Sequence, residues 1–298
     1  MEMLTLSHIE KRFGEKQVLQ DVSFSVPEHT VFGFVGQNGA GKTTAMKLIL
    51  GLLTSDGGEI SVNGMPVHYG NTVTNRFVGY LPDVPEFYSY MTPAEYLRFC
   101  GEITGMPTKE IKGRCEELLC LVGLEKENRR IKGFSRGMKQ RLGIAQALFN
   151  RPKLLICDEP TSALDPAGRK ELLDILVNAK KQTTVLFSTH ILSDVEHICD
   201  EIAFLHDGRI VLQGSLEEVR TIKKTTAFEL ELEQSEDARM LSSVFPNLKA
   251  IGRSSLLLED AGHLPDVLRF LADKRIPVLR IERQEASLEE LFMEVVGK

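Results

Sequence analysis

A chain of 298 residues, 42% apolar and 26% charged, can bury one large core, or a medium and a small one, without disulfides or structural metals. Its net charge of -6 counts against a nucleic-acid binder, which presents an excess of Lys and Arg. Five cysteines without a CxxC pair read as reduced thiols rather than a disulfide framework or zinc site, and no apolar run reaches the roughly 18 residues of a spanning helix.

The opening Met1-Glu2-Met3 lacks the basic stretch and apolar run of a secretion signal. Alternation through Leu4, Leu6 and Ile9, then Val18, Val22, Phe24 and Val26, predicts two strands punctuated by Gly14 and Pro27. Val31–Val35 reads as a third, buried strand, followed by a Gly-rich turn and a helix from Lys42 to about Leu52. Gly57-Gly58 and Asn63-Gly64 read as hairpin turns. From Pro93 to Asn150 the apolar residues repeat at helical spacing, which predicts an all-helical insert. Strands and helices then alternate from Lys153 to Leu212, the pattern of βαβ units and a mainly parallel sheet. Beyond Lys223 a separate rhythm begins with Phe228–Leu232 and continues to Val296, predicting a small α+β domain.

Gly36-Gln37-Asn38-Gly39-Ala40-Gly41-Lys42-Thr43 fits G-x-x-x-x-G-K-[ST], and it stands between a buried strand and a helix, where such a loop works. Glycines let backbone N–H groups converge on phosphate oxygens at a helix N-terminus. Lys42 supplies a point charge for the β- and γ-phosphates, and Thr43 a hydroxyl for Mg²⁺. Asn38, Gly39, Ala40, Gly41 and Thr44 complete the cradle. In Leu154-Leu155-Ile156-Cys157-Asp158-Glu159 an apolar strand delivers two carboxylates to the C-terminal sheet edge. An acidic pair after a strand is often only a helix cap; beside Lys42 and Thr43 it reads as a metal ligand (Asp158) and a water-polarising base (Glu159).

The order of these and four further motifs resembles the ABC family of ATPases over residues 1 to about 220. Phe134-Ser135-Arg136-Gly137-Met138 matches the signature, Ser162-Ala163-Leu164-Asp165 the D-loop, His190 the switch histidine, and Phe13 the adenine-stacking aromatic. Taken singly, Phe13 is equally compatible with core packing and His190 with a structural role. Asp83 stands at the position where the family usually has Gln, and Arg136 and Met138 depart from the usual signature. This variant, followed by Lys139-Gln140-Arg141-Leu142, is similar to bacterial exporters of the bacitracin- and daunorubicin-resistance kind, as is the ending Ser287-Leu288-Glu289-Glu290-Leu291-Phe292.

The resemblance implies an α/β fold: a P-loop core with a mainly parallel sheet, an antiparallel β subdomain and a helical subdomain at about 86–150. The core spans 1–223, and an accessory α+β domain 224–298. It further implies ATP and Mg²⁺ as cofactors, with Thr43, Asp83 and Asp158 toward the metal and Lys42, Asp83, Glu159 and His190 in hydrolysis. Ser135 and Gly137 are expected to close over ATP held by a second ATPase subunit. The implied setting is the cytoplasmic face of a membrane, beside a separately encoded permease. A soluble ABC ATPase acting on ribosomes or nucleic acid is the rival reading; the chain shows neither the long heptads nor the paired cassettes such proteins carry.

Overall fold

In the computed structural model every residue is described except 71–72, 223–226, 285–286 and 297–298. The alternating start forms β1 (Glu2–Phe13) and β2 (Lys16–Pro27), an antiparallel pair that buries Leu4, Leu6, Ile9, Val22, Phe24 and Val26 on one side. β3 (Val31–Val35) is buried at every position, which is why its sequence does not alternate. After α1 (Lys42–Ile49), β4 (Gly57–Val62) and β5 (Met65–Pro66) complete a four-stranded sheet in the order β2-β1-β4-β5. Asn63-Gly64 turns as expected, with both residues at positive φ. Gly57-Gly58 does not turn. It opens β4 opposite the register shift between Ser7 and Glu10, and a Cβ on Gly58 would collide with the Ser7 and His8 carbonyls.

Next come β6 (Val78–Leu81) and three helices, α2 (Pro93–Ile103), α3 (Thr108–Leu121) and α4 (Arg136–Ala147). A capping box starts α2: Glu95 N–H donates to the Thr92 hydroxyl, and Thr92 N–H to the Glu95 carboxylate. Buried Arg114 of α3 donates to the Leu148 and Phe149 carbonyls beyond α4, tying the helices together.

β7 (Leu154–Asp158), α5 (Pro166–Ala179), β8 (Thr184–Thr189), α6 (Leu192–Ile198), β9 (Glu201–His206) and β10 (Arg209–Ser215) follow. Asp165 occupies the N-cap of α5, with Pro166 in the first turn, yet its side chain makes no capping bond. The six-stranded sheet runs β10-β9-β3-β8-β7-β6, parallel except for β10. Its strands therefore deliver the ends of β3, β6, β7 and β8 to one edge, where open α/β sheets take ligands. Phe24 of the antiparallel sheet stacks on Phe32 and Phe34 of the parallel one, at ring distances of 5.4 and 5.2 Å. Met46, Leu48 and Ile49 of α1 join the same core.

The chain divides into two compact units, Met1–Leu216 and Glu217–Lys298. α7 (Leu216–Ile222) carries the division. The second unit contains β11 (Phe228–Leu232), α8 (Ser235–Val244), β12 (Leu248–Ala250), β13 (Ser255–Leu258), α9 (Leu264–Lys274), β14 (Val278–Arg283) and α10 (Leu288–Val296). Its antiparallel sheet is ordered β12-β13-β11-β14, and Leu230, Leu232, Leu241, Leu256, Leu258, Val267 and Leu271 fill its core.

Candidate nucleotide site

The 36–41 loop leaves β3 and enters α1 with Gly39 and Gly41 at φ 84° and 113°. A side chain at Gly41 would strain that backbone and press on Val18 and Leu19. The loop delivers Lys42, which is 5% exposed. Its Nζ donates to the Gly36 carbonyl at 2.6 Å and the Gln37 carbonyl at 3.2 Å, and lies 3.0 Å from Glu159 Oε1. A buried ammonium is tolerable only with such company.

Beside it, Thr43 donates its hydroxyl to Asp158 Oδ2 at 2.8 Å, and Ser188 donates to Asp158 Oδ1 at 2.7 Å. Asp158 and Ser188 face each other because β7 and β8 pair in that register. Glu159 follows at φ 48°, its N–H donating to Ser188 and its Oε2 lying 2.8 Å from His190 Nδ1. Tyr80 on β6 is a neutral phenol, pushed up to about 12 by burial and then by the nearby charge of Asp158.

A cavity of about 620 Å³ opens over these groups, lined among others by Phe13, Asn38, Lys42, Thr43, Thr44, Asp83, Asp158 and Glu159. Phe13 presents a half-exposed ring, with Lys11 Nζ 5.4 Å from its centroid. The arrangement offers cations and N–H groups for phosphates, hard oxygens for a divalent cation, and a carboxylate–imidazole pair for a proton.

Ser135 and Gly137 are not among the residues lining this cavity. They sit at the start of α4, where the Ser135 hydroxyl accepts the Met138 N–H at 3.2 Å. Sequence reasoning placed Ser162 and Gln140 in motifs without giving either a role, and gave Ser188 none. Only the adjacency of β7 and β8 reveals that of Ser188. Ser162 donates to Asp83 Oδ1 at 2.7 Å, and Gln140 to the Asp83 carbonyl at 2.5 Å. Of the six cations between 129 and 141, three are paired: Arg129 with Glu127, Arg136 with Asp83 and Arg141 with Glu171.

Residues 19–162 match the ABC transporter family, and residues 214–296 match the ATP-binding protein DrrA1-3-like C-terminal domain. Over 99% of both chains, the sequence is 37% identical to the uncharacterized ABC transporter ATP-binding protein YxlF of Bacillus subtilis. The chain belongs to the ABC transporter ATP-binding protein family. It is also 31% identical to the bacitracin transport ATP-binding protein BcrA of Bacillus licheniformis, over 99% of this chain and 97% of that one.

A solved ATP-binding subunit of an ABC transporter shares the fold: it superposes with a TM-score of 0.65 at 35% identity, covering 74% of this chain and 92% of its own. Members of this family bind and hydrolyse ATP, and as transporter subunits they partner membrane permeases. Among the described residues, no helix is long and apolar enough to cross a membrane.

Proposed function

We propose that this chain is the Mg²⁺-dependent ATPase subunit of an exporter, working at the cytoplasmic face of the membrane beside a separately encoded permease. The observation that carries this reading is the convergence of Lys42, Thr43, Asp158 and Glu159 on one cavity, with His190, which does not line it, held against Glu159. Export is supported by similarity to subunits named for bacitracin transport and linearmycin resistance.

Lys42 and the loop N–H groups bind the β- and γ-phosphates, and Phe13 stacks on the adenine. The Thr43 hydroxyl and Asp158 carboxylate are adjacent hard oxygens that fit Mg²⁺. Bound there, Mg²⁺ would neutralise charge on the phosphate oxygens. Asp83 lines the cavity with one carboxylate oxygen engaged by Arg136 and Ser162, leaving the other for metal or water. Glu159 polarises the attacking water, and His190 orients that carboxylate.

Ser135 and Gly137 complete the site from a second ATPase subunit, a copy of this chain or a relative.

ATP then bridges the two subunits, and hydrolysis removes the bridge, so that opening and closing follow the nucleotide. In this reading residues 1–223 are the ATPase domain, with its helical subdomain at about 86–150, and 224–298 the accessory domain. No nucleic-acid partner is part of it.

The test is a mild-detergent pull-down of the tagged chain from its native membranes, with mass spectrometry of what stays bound and ATPase assays with and without a magnesium chelator. A stoichiometric polytopic membrane protein and chelator-sensitive turnover are expected. Ribosomal proteins or nucleic acid in place of a membrane subunit would overturn the transporter role.

A further inference from the structure

Three segments far apart in the chain converge on a single oxygen. Asp83 Oδ1, in the loop after β6, accepts from Ser162 Oγ at 2.7 Å and from Arg136 Nη2 at 3.2 Å. The same guanidinium nitrogen donates to Ser162 Oγ at 3.2 Å, which closes a triangle. The Asp83 main chain is held as well, since fully buried Gln140 donates to its carbonyl. Arg136 and Gln140 are four residues apart on α4 and so share one face of that helix. One helix therefore grips Asp83 by side chain and main chain, while the loop after β7 grips it through Ser162.

Position makes this cluster more than a surface ion pair. Asp83 lines the same cavity as Lys42, Thr43, Asp158 and Glu159. Three carboxylates around a polyphosphate would repel it; Lys42 offsets the charge of Glu159, and Arg136 that of Asp83. Both partners are about half exposed, so the pair adds little to stability in water. Its worth lies in where it holds the carboxylate. Asp83 and Arg136 are also two of the departures noted in the sequence, and they depart toward each other.

We propose that Arg136 is a positioning residue: with Ser162 it fixes the Asp83 carboxylate at the cavity and offsets its charge, making α4 and the loops after β6 and β7 respond to bound nucleotide as one unit. The kinetic half of the test rests on the ATPase reading; the exchange half does not.

The experiment compares the full-length chain with Arg136→Ala, Arg136→Lys, Asp83→Asn and the Arg136→Ala/Asp83→Asn double variant. Hydrogen exchange is followed in the peptides covering residues 82–92 and 159–165, and turnover is measured at saturating MgATP. Arg136→Ala is expected to speed exchange in both peptides, with Arg136→Lys restoring most of the protection. Arg136→Ala and Asp83→Asn are each expected to lower kcat by about tenfold with KM for MgATP within about twofold, Arg136→Lys to retain most of the rate, and the double variant to fall no further than the lower of its two singles, as groups acting through one contact do. Unchanged exchange in Arg136→Ala would overturn the proposal, and so would single-variant losses that multiply in the double. A wild-type chain that neither binds nor turns over MgATP at dimer-forming concentration would instead remove the ATPase reading, and exchange alone would then decide the role of Arg136.

Discussion

Glu159 Oε1 lies 3.0 Å from Lys42 Nζ, so the carboxylate at the end of β7 and the cation at the start of α1 offset each other's charge. Phosphates arriving at Lys42 compete directly with Glu159 for the ammonium, and the carboxylate they displace retains His190 on its other oxygen. Under the proposed mechanism that exchange frees the base as the substrate binds.

Glu159→Gln should therefore separate binding from chemistry. The amide cannot act as a base, and turnover is expected to fall by about 10²–10⁴. ATP affinity should hold or rise, because Lys42 no longer has an anionic competitor. Single-turnover kinetics beside equilibrium binding of MgATP checks both halves; parallel loss of binding and turnover would contradict the assigned role.

Gly79→Ala tests how closely the helical subdomain approaches the sheet. A Cβ on this β6 residue would run into the Ala147 carbonyl at the end of α4, a backbone atom that cannot rotate away. The expected cost is about 1–3 kcal/mol of stability, the usual range for overpacking. Thermal or denaturant unfolding of the purified chain gives the value.

The capping box of α2 carries a pH signature. Glu95 is held below its ordinary value of 4.5, first by the Thr92 backbone N–H and then by the Thr92 hydroxyl. A depressed carboxylate contributes stability that is fully present above its unfolded value and lost as pH falls through its native one. Wild type should thus melt above Glu95→Gln at neutral pH, and the gap should close on acidification below the carboxylate range. A gap independent of pH would assign the cap to shape rather than charge.

The cysteines should differ sharply in reactivity. Burial raises the thiols of Cys100, Cys115, Cys157 and Cys199, whereas Cys120 is exposed. Maleimide labelling of the native chain at neutral pH is expected to modify Cys120 alone, and of the denatured chain all five. Intact-mass measurement counts the adducts directly.

Much of this architecture was legible in advance because local pattern and tertiary role agree. The Lys42 loop is flanked by the strand and helix its chemistry needs, and the helices of the insert carry the apolar spacing their packing uses. What escaped depends on neighbours distant in sequence. Gly57-Gly58 has the composition of a turn, yet its meaning is set by the bulge in β1 opposite it. Ser188 is an ordinary strand residue until β7 pairs beside it. β12, from Leu248 to Ala250, is too short to show any period and exists because β13 templates it. The Asp83–Arg136–Ser162 triangle joins residues up to 79 positions apart, so no local reading could assemble it.

Phe13 meets the cavity with the face of a half-exposed ring, alongside Lys16 and Val18. A platform of that kind reads the area of an aromatic base and not the pattern of groups along its edge, since every base has a stacking face. Under the stacking role proposed for Phe13, the fuel is chosen chiefly at its phosphates. Guanine nucleotides would then serve nearly as well as adenine ones, and the cell's own abundance of each would decide which is consumed.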